Sequence, residues 1–262
     1  MCVERQPGEE QLLQQDNLLG AVMNKFTGLV RRCIDDYKMI GDDETIAVGV
    51  SGGKDSVALL SALSNLRNYY PKRFRLYAVT LDMGFAGMDY MPVKKLCEQL
   101  DVPYTRKQTE LGRIIFEERR EKNPCALCAK MRRGALNDMI KELGIKKIAL
   151  AHNFDDSVET FMLSMLYEGR ISCFQPVTYM SRSNTTQIRP MLYVGEGTVK
   201  KLVEKYSLPV VSNLCPMNGV SKREEVKELL KMLSLSYPDL KSKIFGAMQR
   251  FPLDGWDLTG CS

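Results

Sequence analysis

A glycine-containing turn between two apolar segments constrains the fold of this chain more than any other feature. The turn follows an apolar run at residues 45–50 and precedes a second one at 57–63. The β-branched residues of the first run are typical of a buried strand, and the spacing of the second favours a helix. Backbone N–H groups that begin such a helix point outward and bind anions. The turn consists of Ser51, Gly52, Gly53, Lys54, Asp55 and Ser56.

These six residues predict a phosphate-binding loop. Glycine has no Cβ, so the pair Gly52-Gly53 lets the backbone come close to a phosphate. Lys54 adds positive charge, and Ser51 and Ser56 add hydroxyl donors. Only one glycine pair precedes the lysine, so the motif is not the GxxxxGK[ST] phosphate loop. An ordinary glycine turn with a surface lysine is the alternative, which the strand-to-helix context disfavours.

Strands and helices alternate along the chain after this loop. The pattern predicts strands at 75–81, 103–108 and 147–151 and helices at 91–100, 131–143 and 155–166. Such alternation predicts an α/β fold, in which a parallel sheet carries helices on both faces. Ligands bind such sheets outside the carboxyl ends of the strands. We therefore expect the glycine loop, Asp82 and His152 to converge at that edge.

Three parts are expected along the chain. Residues 1–40 form an N-terminal helical segment, because apolar side chains recur at helical intervals from Leu18 to Ile34. Residues 41–190 form the nucleotide-binding domain, whose end, from 168 to 189, is polar and predicted to be an irregular loop. Residues 191–262 form a smaller C-terminal part. Its predicted helices lie at 198–206, 222–233 and 240–250.

Composition excludes some classes of protein. No run reaches the roughly 18 uninterrupted apolar residues that a membrane helix requires, and the first eight residues lack the apolar core of a signal peptide. We therefore predict a cytoplasmic protein without membrane contacts. The net charge of +5 tolerates a polyanionic partner without identifying one. In such a chain the eight cysteines are expected to be thiols or metal ligands rather than disulfides.

Two of these cysteines have a spacing typical of metal ligands. Cys125 and Cys128 form a CxxC pair, which lets both sulfurs face one metal centre. The next candidate, Cys215, follows far along the chain. By spacing alone, the pair could equally be a redox pair or two incidental thiols.

The glycine loop resembles that of the PP-loop ATP pyrophosphatase superfamily, whose domain is of the adenine nucleotide alpha hydrolase-like type. Those enzymes cleave ATP between the α- and β-phosphates and leave AMP on an acceptor oxygen. The resemblance implies that Ser51–Ser56 holds the departing pyrophosphate and that Lys54 stabilises its growing charge. Asp55 is the expected Mg²⁺ contact, since magnesium prefers carboxylate and phosphate oxygens.

Several motifs taken together resemble the tRNA 2-thiocytidine synthetase family, in the same order from about Asp43 to Phe251. They are SGGKDS, Cys125-Ala126-Leu127-Cys128 with Arg132-Arg133, His152-Asn153-Phe154-Asp155-Asp156, Ile188-Arg189-Pro190-Met191 and Asn213-Leu214-Cys215. The resemblance implies an enzyme that uses ATP and Mg²⁺ to activate the 2-oxygen of an anticodon-loop cytidine in tRNA. Sulfur from a donor such as a cysteine desulfurase then replaces this oxygen.

The same resemblance implies a [4Fe–4S] cluster on Cys125, Cys128 and Cys215. Three thiolates suit a cluster with one open iron, which could present sulfide to the activated base. A structural zinc would need four ligands. A fourth cysteine stays open as an alternative, with Cys173 the first to consider. The others are Cys33, Cys97 and Cys261, although Cys33 and Cys97 are expected to be buried on helices.

The segment after the predicted strand at 147–151 carries the remaining polar candidates. His152 and Asn153 are expected nucleotide contacts, with a structural histidine as the alternative. Asp155 and Asp156 begin a helix, where one carboxylate can serve as a cap. In related PP-loop thiolation enzymes the position of Asp156 is catalytic, so we expect Lys54, Asp55 and Asp156 to carry the chemistry.

Four arginines are candidates for phosphates of ATP or tRNA, with solvated surface arginines as the alternative. They are Arg132, Arg133, Arg170 and Arg189. Alternative functions are a 2-thiouridine synthetase, a tRNA lysidine synthetase and a non-catalytic, cluster-bearing redox sensor that binds nucleotide. The first is disfavoured because the chain ends carry only Cys2 and Cys261, and the second because it has no use for a CxxC pair. A homodimer is left open.

Overall fold

The computed structural model describes residues 7–119, 124–212, 214–217, 219, 221–251 and 253–256, with side chains from residue 20 onward. Cys2, Asn213 and Cys261 lie outside the described residues. None of the helices in the described ranges is both long and apolar enough to cross a membrane.

The centre of the fold is a sheet of six strands. In chain order they are β1 (Glu44–Gly49), β2 (Phe74–Asp82), β3 (Tyr104–Gln108), β4 (Lys147–Ala149), β5 (Val177–Met180) and β6 (Thr185–Ile188). Their order across the sheet is β3-β2-β1-β4-β6-β5. All neighbouring pairs are parallel except β5 and β6, which form an antiparallel hairpin. The predicted parallel α/β fold is confirmed, with one antiparallel edge strand.

Helices lie before, between and after the strands. They are α1 (Pro7–Asp36), α2 (Lys54–Leu66), α3 (Met91–Gln99), α4 (Leu111–Arg113), α5 (Pro124–Glu142), α6 (Phe154–Glu168), α7 (Glu196–Lys205), α8 (Lys222–Ser236) and α9 (Leu240–Arg250). A π-helical turn at Ile114–Glu118 continues α4.

Each face of the sheet has its own hydrophobic core, because side chains alternate between faces along a strand. On β1, Ile46 and Val48 pack in the larger core with α1, α2 and α7, whereas Ala47 faces the smaller core. There Met139 and Ile140 of α5 cover the sheet. The expectation of helices on both faces is therefore confirmed.

The N-terminal and C-terminal parts of the chain pack into the larger core together. Trp256 is fully buried and lies edge-on to Tyr37 at the end of α1, with ring centroids 6.5 Å apart. Its indole Nε1 donates to the Phe174 carbonyl at 3.0 Å. The three-part division of the chain stays a prediction.

One prediction about secondary structure is wrong. Residues 168–189 were expected to be irregular, yet they contain the β5–β6 hairpin. Its turn places Asn184 at φ +52°, a conformation that asparagine tolerates. The strands lack an apolar period because the side chains of Thr178 and Gln187 line a cleft instead of the hydrophobic core.

Candidate active site

A cleft of about 560 Å³ lies at the carboxyl ends of β1, β2 and β4. These strands run in parallel, and chain connections leave β1 and β4 in opposite directions across the sheet. Such a switch point is where open α/β sheets bind ligands. The glycine loop, the end of β4 and helix α5 line the cleft. The polar side chains lining it are Ser51, Asp55, Ser56, Arg132, His152, Asp156 and Arg223.

The glycine loop is held by its own serine hydroxyls. Ser56 Oγ donates to the Gly53 carbonyl at 2.8 Å and lies 3.3 Å from Ser51 Oγ. Gly53 caps α2 in an extended conformation, without a side-chain cap on the helix. Its N–H donates to Ser51 Oγ at 3.3 Å. The first N–H groups of α2 are therefore presented at the edge of the cleft, as an anion site requires.

Gly52 has two reasons to be glycine. Its φ is +85°, and a Cβ there would lie 2.8 Å from the Val211 Cβ. The Val211 N–H donates to the Gly52 carbonyl at 2.9 Å. The C-terminal segment that leads to Cys215 is thus fastened directly to the loop.

We expect Gly52→Ala to lower the free energy of unfolding by about 1–3 kcal/mol, from backbone strain and the clash with Val211. Urea unfolding measures the change. Gly53→Ala is the matched control, because Gly53 has φ −70° and a Cβ there would meet only Ser51 Oγ at 3.5 Å. Equal losses in the two variants would contradict this role of Gly52.

Two carboxylates hold the Lys54 ammonium at the start of α2. Lys54 Nζ lies 2.7 Å from Asp55 Oδ2 and 3.3 Å from Glu196 Oε1. Burial lowers the pKa of Lys54, but the hydrogen bond and charge of Asp55 and the charge of Glu196 outweigh it and raise this pKa overall. Lys54 therefore stays charged.

Glu196 gathers three lysines. Lys54 and Lys200 lie 3.3 Å from its Oε1, and Lys227 lies 3.5 Å from its Oε2. Burial raises the pKa of Glu196, but the charges of Lys54 and Lys227 lead a larger opposing effect and bring it to about 2. Glu196 is thus a carboxylate at any physiological pH.

The start of α6 ties the two aspartates of the cleft together. Asn153 and Asp156 form a capping box, each side chain accepting the other's backbone N–H at 3.0 Å. The Asn153 amide also donates to Asp55 Oδ1 at 2.9 Å. Burial raises the pKa of Asp156, opposed by the Asn153 N–H and by Arg223, whose Nη1 lies 3.2 Å from Asp156 Oδ1. Asp156 therefore caps the helix and faces the cleft at once.

The Asp155 carboxylate binds groups on two other helices. It accepts the Glu196 backbone N–H at 2.7 Å and the Lys241 ammonium at 2.6 Å. It thereby joins the start of α6 to α7 and α9. Of the two neighbouring aspartates, only Asp156 lines the cleft.

Glu159 lies one turn along α6, buried beside Asp156. Burial first, and then the charge of Asp156, raise its pKa from the usual 4.5 to about 7. The folded protein therefore holds this proton where the unfolded chain releases it, so ionisation of Glu159 costs stability as the pH rises through that interval.

We expect the free energy of unfolding of Glu159→Gln, minus that of the unchanged protein, to be larger at pH 7.5 than at pH 5. The two pH values bracket most of the interval between the usual pKa of 4.5 and the raised pKa of about 7. Urea unfolding of both proteins at the two pH values measures the difference. The pH dependence that buried His152 adds to the free energy of unfolding is present in both proteins and cancels in the difference. A difference that is independent of pH would contradict the raised pKa of Glu159.

His152 is a neutral side chain in the wall of the cleft. Burial first, and then the positive charges of Arg189, Arg223 and Arg132, lower its pKa to about 3. Its ring lies against Phe174 with centroids 4.8 Å apart, and its Nδ1 has no hydrogen-bond partner among the described residues. His152 cannot serve as a proton donor near neutral pH.

Asp82 ends β2 as predicted but does not line the cleft. Its carboxylate accepts from Arg106 Nε at 3.0 Å and from Arg106 Nη2, and also from the Gly84 N–H at 2.9 Å. A role for Asp82 in nucleotide binding stays a prediction.

The three predicted cysteine ligands lie near one another, although Cys215 is far from the other two in sequence. Burial raises the pKa of Cys128, the Arg132 charge lowers it, and the charges of Cys215 and Cys125 raise it further. Charge effects act over several ångströms, so they place Cys125 and Cys215 in the surroundings of Cys128 without fixing a distance. Cys125 and Cys128 lie in the first two turns of α5, and Cys215 follows the segment fastened to Gly52.

Three thiols are donors that either a zinc ion or an iron–sulfur cluster can take. Within the described ranges, no three Cys, His, Asp or Glu side chains are arranged to hold one metal ion. A single zinc ion would draw its sulfurs within about 4 Å of each other, given Zn–S bonds of about 2.3 Å. A cubane takes one thiolate on each of separate irons, which leaves its ligands further apart.

Arg132 connects the thiols to the cleft. It lines the cleft, and its positive charge lowers the pKa of the Cys128 thiol. Arg133, the next residue of α5, lines a second cleft together with Arg189. Arg170 is exposed and pairs with Glu168 at 3.3 Å, outside both clefts. The phosphate roles of these arginines stay predictions.

The other described cysteines lie apart from these three. Cys173 donates to the Ser157 carbonyl at 3.4 Å, and its pKa is raised to about 12, mainly by burial. Cys33 and Cys97 are fully buried on α1 and α3. Each described cysteine is a thiol rather than half of a disulfide.

Sequence reasoning missed Glu196 and Arg223. Arg223 had a signal, because Lys222 and Arg223 open a predicted helix, where the helix dipole disfavours cations. In the structure the carboxyl groups of Asp156 and Glu159 lie 3.2 and 3.8 Å from Arg223. Glu196 gave no signal beyond its place at a helix start.

A family model and curated relatives both match this chain. Residues 24–214 match the family model of the PP-loop domain. The chain is 35% identical over 240 residues to the tRNA-cytidine(32) 2-sulfurtransferase of Pelobacter propionicus, covering 90% of this chain and 89% of that protein. It is 36% identical to the protein of that name from Syntrophotalea carbinolica, covering 87% of this chain and 89% of the relative.

A solved structure shares the fold. It is the U34-tRNA thiolase NcsA from Methanococcus maripaludis with its [4Fe-4S] cluster. The TM-score is 0.72 at 23% identity, covering 88% of this chain and 79% of that one.

Proposed function

This chain belongs to the PP-loop family of tRNA-cytidine(32) 2-sulfurtransferases, and we propose that it thiolates a cytidine of the tRNA anticodon loop in two ATP-dependent stages. The observation that carries the proposal is the position of Arg132. This residue lines the cleft of the glycine loop, and its charge lowers the pKa of the Cys128 thiol, so the nucleotide site lies close to Cys128.

In the first stage the 2-oxygen of the cytidine attacks the α-phosphorus of ATP. The new O–P bond forms as the bond to the β-phosphate oxygen breaks, and pyrophosphate leaves with that electron pair. The loop Ser51–Ser56 holds the pyrophosphate through the N–H groups at the start of α2. Lys54, kept charged by Asp55 and Glu196, stabilises the negative charge that develops on it.

Asp55 and Asp156 are the residues that would hold Mg²⁺. Both line the cleft, and Asn153 positions both, through its side-chain amide and its backbone N–H. Carboxylate oxygens beside phosphates are the ligands magnesium prefers. When bound, the ion would neutralise phosphate charge as the α,β bond breaks.

In the second stage sulfide (HS⁻) adds to C2 of the activated base, the C2–O bond breaks so that AMP leaves with the former 2-oxygen, and the sulfide proton passes to solvent. Cys125, Cys128 and Cys215 would hold a [4Fe–4S] cluster, which when bound supplies an open iron for sulfur delivery. Arg132 would face AMP on one side and the thiolates on the other, so its charge favours both anions. The proposed sulfur donor is a cysteine desulfurase, with a thiol reductant that supplies two electrons and releases its persulfide sulfur as sulfide.

Pyrophosphate release tests the first stage. With ATP and Mg²⁺ we expect release to depend on added tRNA and to leave AMP on the RNA when sulfur is withheld. Release that ignores tRNA would overturn the proposal. A lysidine synthetase would instead require lysine for its product, and a redox sensor would release no pyrophosphate.

A further inference from the structure

A second cleft adjoins the first across the contact between His152 and Phe174. His152 lines the first cleft and Phe174 the second, with ring centroids 4.8 Å apart. Helix α5 borders both, through Arg132 in the first and Arg133 in the second. The second cleft has a volume of about 580 Å³, within the range of small-ligand sites. Nothing in the proposed two-stage reaction uses it.

The wall of this second cleft contains a buried cation, Arg189, which is only 6% exposed. Its Nη1 donates to the Gln175 carbonyl and to Thr178 Oγ1 at 3.0 Å, and its Nη2 lies 3.5 Å from Gln187 Oε1. The Phe174 ring lies 4.9 Å away. All of these partners are uncharged, and burial lowers the pKa of Arg189 to about 10.

The unused donors of Arg189 share one edge of its guanidinium. Its Nε has no hydrogen-bond partner in the described structure, and Nη2 retains a second N–H. This edge binds two oxygens of a phosphate or carboxylate side by side. A buried charge is costly unless an anion pairs with it. Asp254, also in the cleft wall, instead accepts from Gln175 Nε2 at 2.8 Å.

The rest of the cleft suits a nucleotide rather than a small inorganic anion. Arg133 adds a second, exposed positive charge. Phe251 and Ile171 line the opening and are each 61% exposed. Aromatic faces of this kind stack on unpaired bases. The amide of Gln187 provides hydrogen-bonding groups for a base edge.

We propose that the second cleft binds an unpaired nucleotide of the RNA substrate, with its phosphate on Arg189 and Arg133 and its base against Phe251. The inference rests on the proposed function for its RNA. This nucleotide is distinct from the one that is thiolated, because the reacting base must lie at the glycine loop in the first cleft. By holding two nucleotides, the two clefts together would fix the position of the RNA strand relative to the reacting base.

Binding of an unmodified tRNA transcript, followed by fluorescence anisotropy over a range of salt concentrations, tests the proposal. We expect Arg189→Gln and Arg133→Gln each to weaken tRNA binding about tenfold and to lower the salt slope by about one. ATP binding should be unchanged in both. Arg133 is exposed, so its variant tests the cleft even if loss of Arg189 harms folding.

Arg73→Gln is the matched control. Arg73 is 82% exposed, pairs with Asp43 at 3.7 Å and lies just before β2, at the amino ends of the parallel strands and outside both clefts. We expect its tRNA binding to equal that of the unchanged protein. If the unchanged protein binds tRNA and both cleft variants bind it as tightly as Arg73→Gln, this inference is overturned and the proposed function is not.

Two other results separate the remaining possibilities. Unchanged protein that binds no tRNA would overturn the proposed function, and this inference with it. Binding of free cytidine monophosphate that depends on Arg189, without any change in tRNA binding, would overturn the assignment to RNA and indicate a small nucleotide ligand.

Discussion

Replacing Lys54 with methionine should lower the rate of tRNA-dependent pyrophosphate release by about 10²–10³-fold, the usual cost of losing one group that stabilises transition-state charge. Lys54 begins α2, where the backbone N–H groups already favour an anion. Asp55 and Glu196 keep its ammonium charged and hold it beside the cleft. Single-turnover release of pyrophosphate from labelled ATP measures the effect.

Lys200→Met is the control for this prediction. Lys200 contacts the same Glu196 oxygen at the same 3.3 Å as Lys54, but it is 55% exposed and lies on α7, outside the glycine loop. Its loss removes one charge and one partner of Glu196 without touching the loop. We expect a rate close to that of the unchanged protein. Equal rates of pyrophosphate release in the two variants would contradict the role of Lys54 in stabilising transition-state charge.

Replacing Cys128 with serine should abolish the proposed cluster. Among the three thiols, Cys128 interacts with both Cys125 and Cys215 and also with Arg132. After anaerobic purification we expect the iron content and the absorption near about 400 nm to fall to background and thiolation to be lost. ATP binding should survive, because the glycine loop keeps its own hydrogen bonds.

Cys173→Ser provides the comparison. Its thiol donates to the Ser157 carbonyl at 3.4 Å, a bond that a serine hydroxyl can replace. We expect this variant to keep its iron and its absorption. Loss of iron in Cys173→Ser would make Cys173 a fourth ligand, and iron retained in Cys128→Ser would contradict the assignment of the three ligands.

The sequence predicted most of the fold because its strongest signals are local. The strand before Ser51, the helix after Ser56 and the alternation that follows depend on apolar spacing, which the buried sheet requires. The β5–β6 hairpin was missed for the converse reason. Its inward side chains, such as Thr178 and Gln187, face a polar cleft and give no apolar period.

Ion pairs between residues far apart in the chain are the part of the site that the sequence could not predict. The environment of Lys54 depends on Glu196, and that of Asp156 on Arg223, contacts that join residues 142 and 67 positions apart. Asp82 shows the same limit, since topology alone placed its carboxylate in the cleft, whereas in the structure it pairs with Arg106 and does not line the cleft. Motifs supplied the candidates, and only the folded chain supplied their partners.

Nucleoside analysis of the product tests the central claim most directly. Unmodified tRNA would be incubated with the cluster-bearing protein, ATP, Mg²⁺ and a sulfide source, digested to nucleosides and analysed by mass spectrometry. The account predicts 2-thiocytidine, formed only when ATP is present. Lysidine, 2-thiouridine or unchanged cytidine from protein with an intact cluster would contradict it.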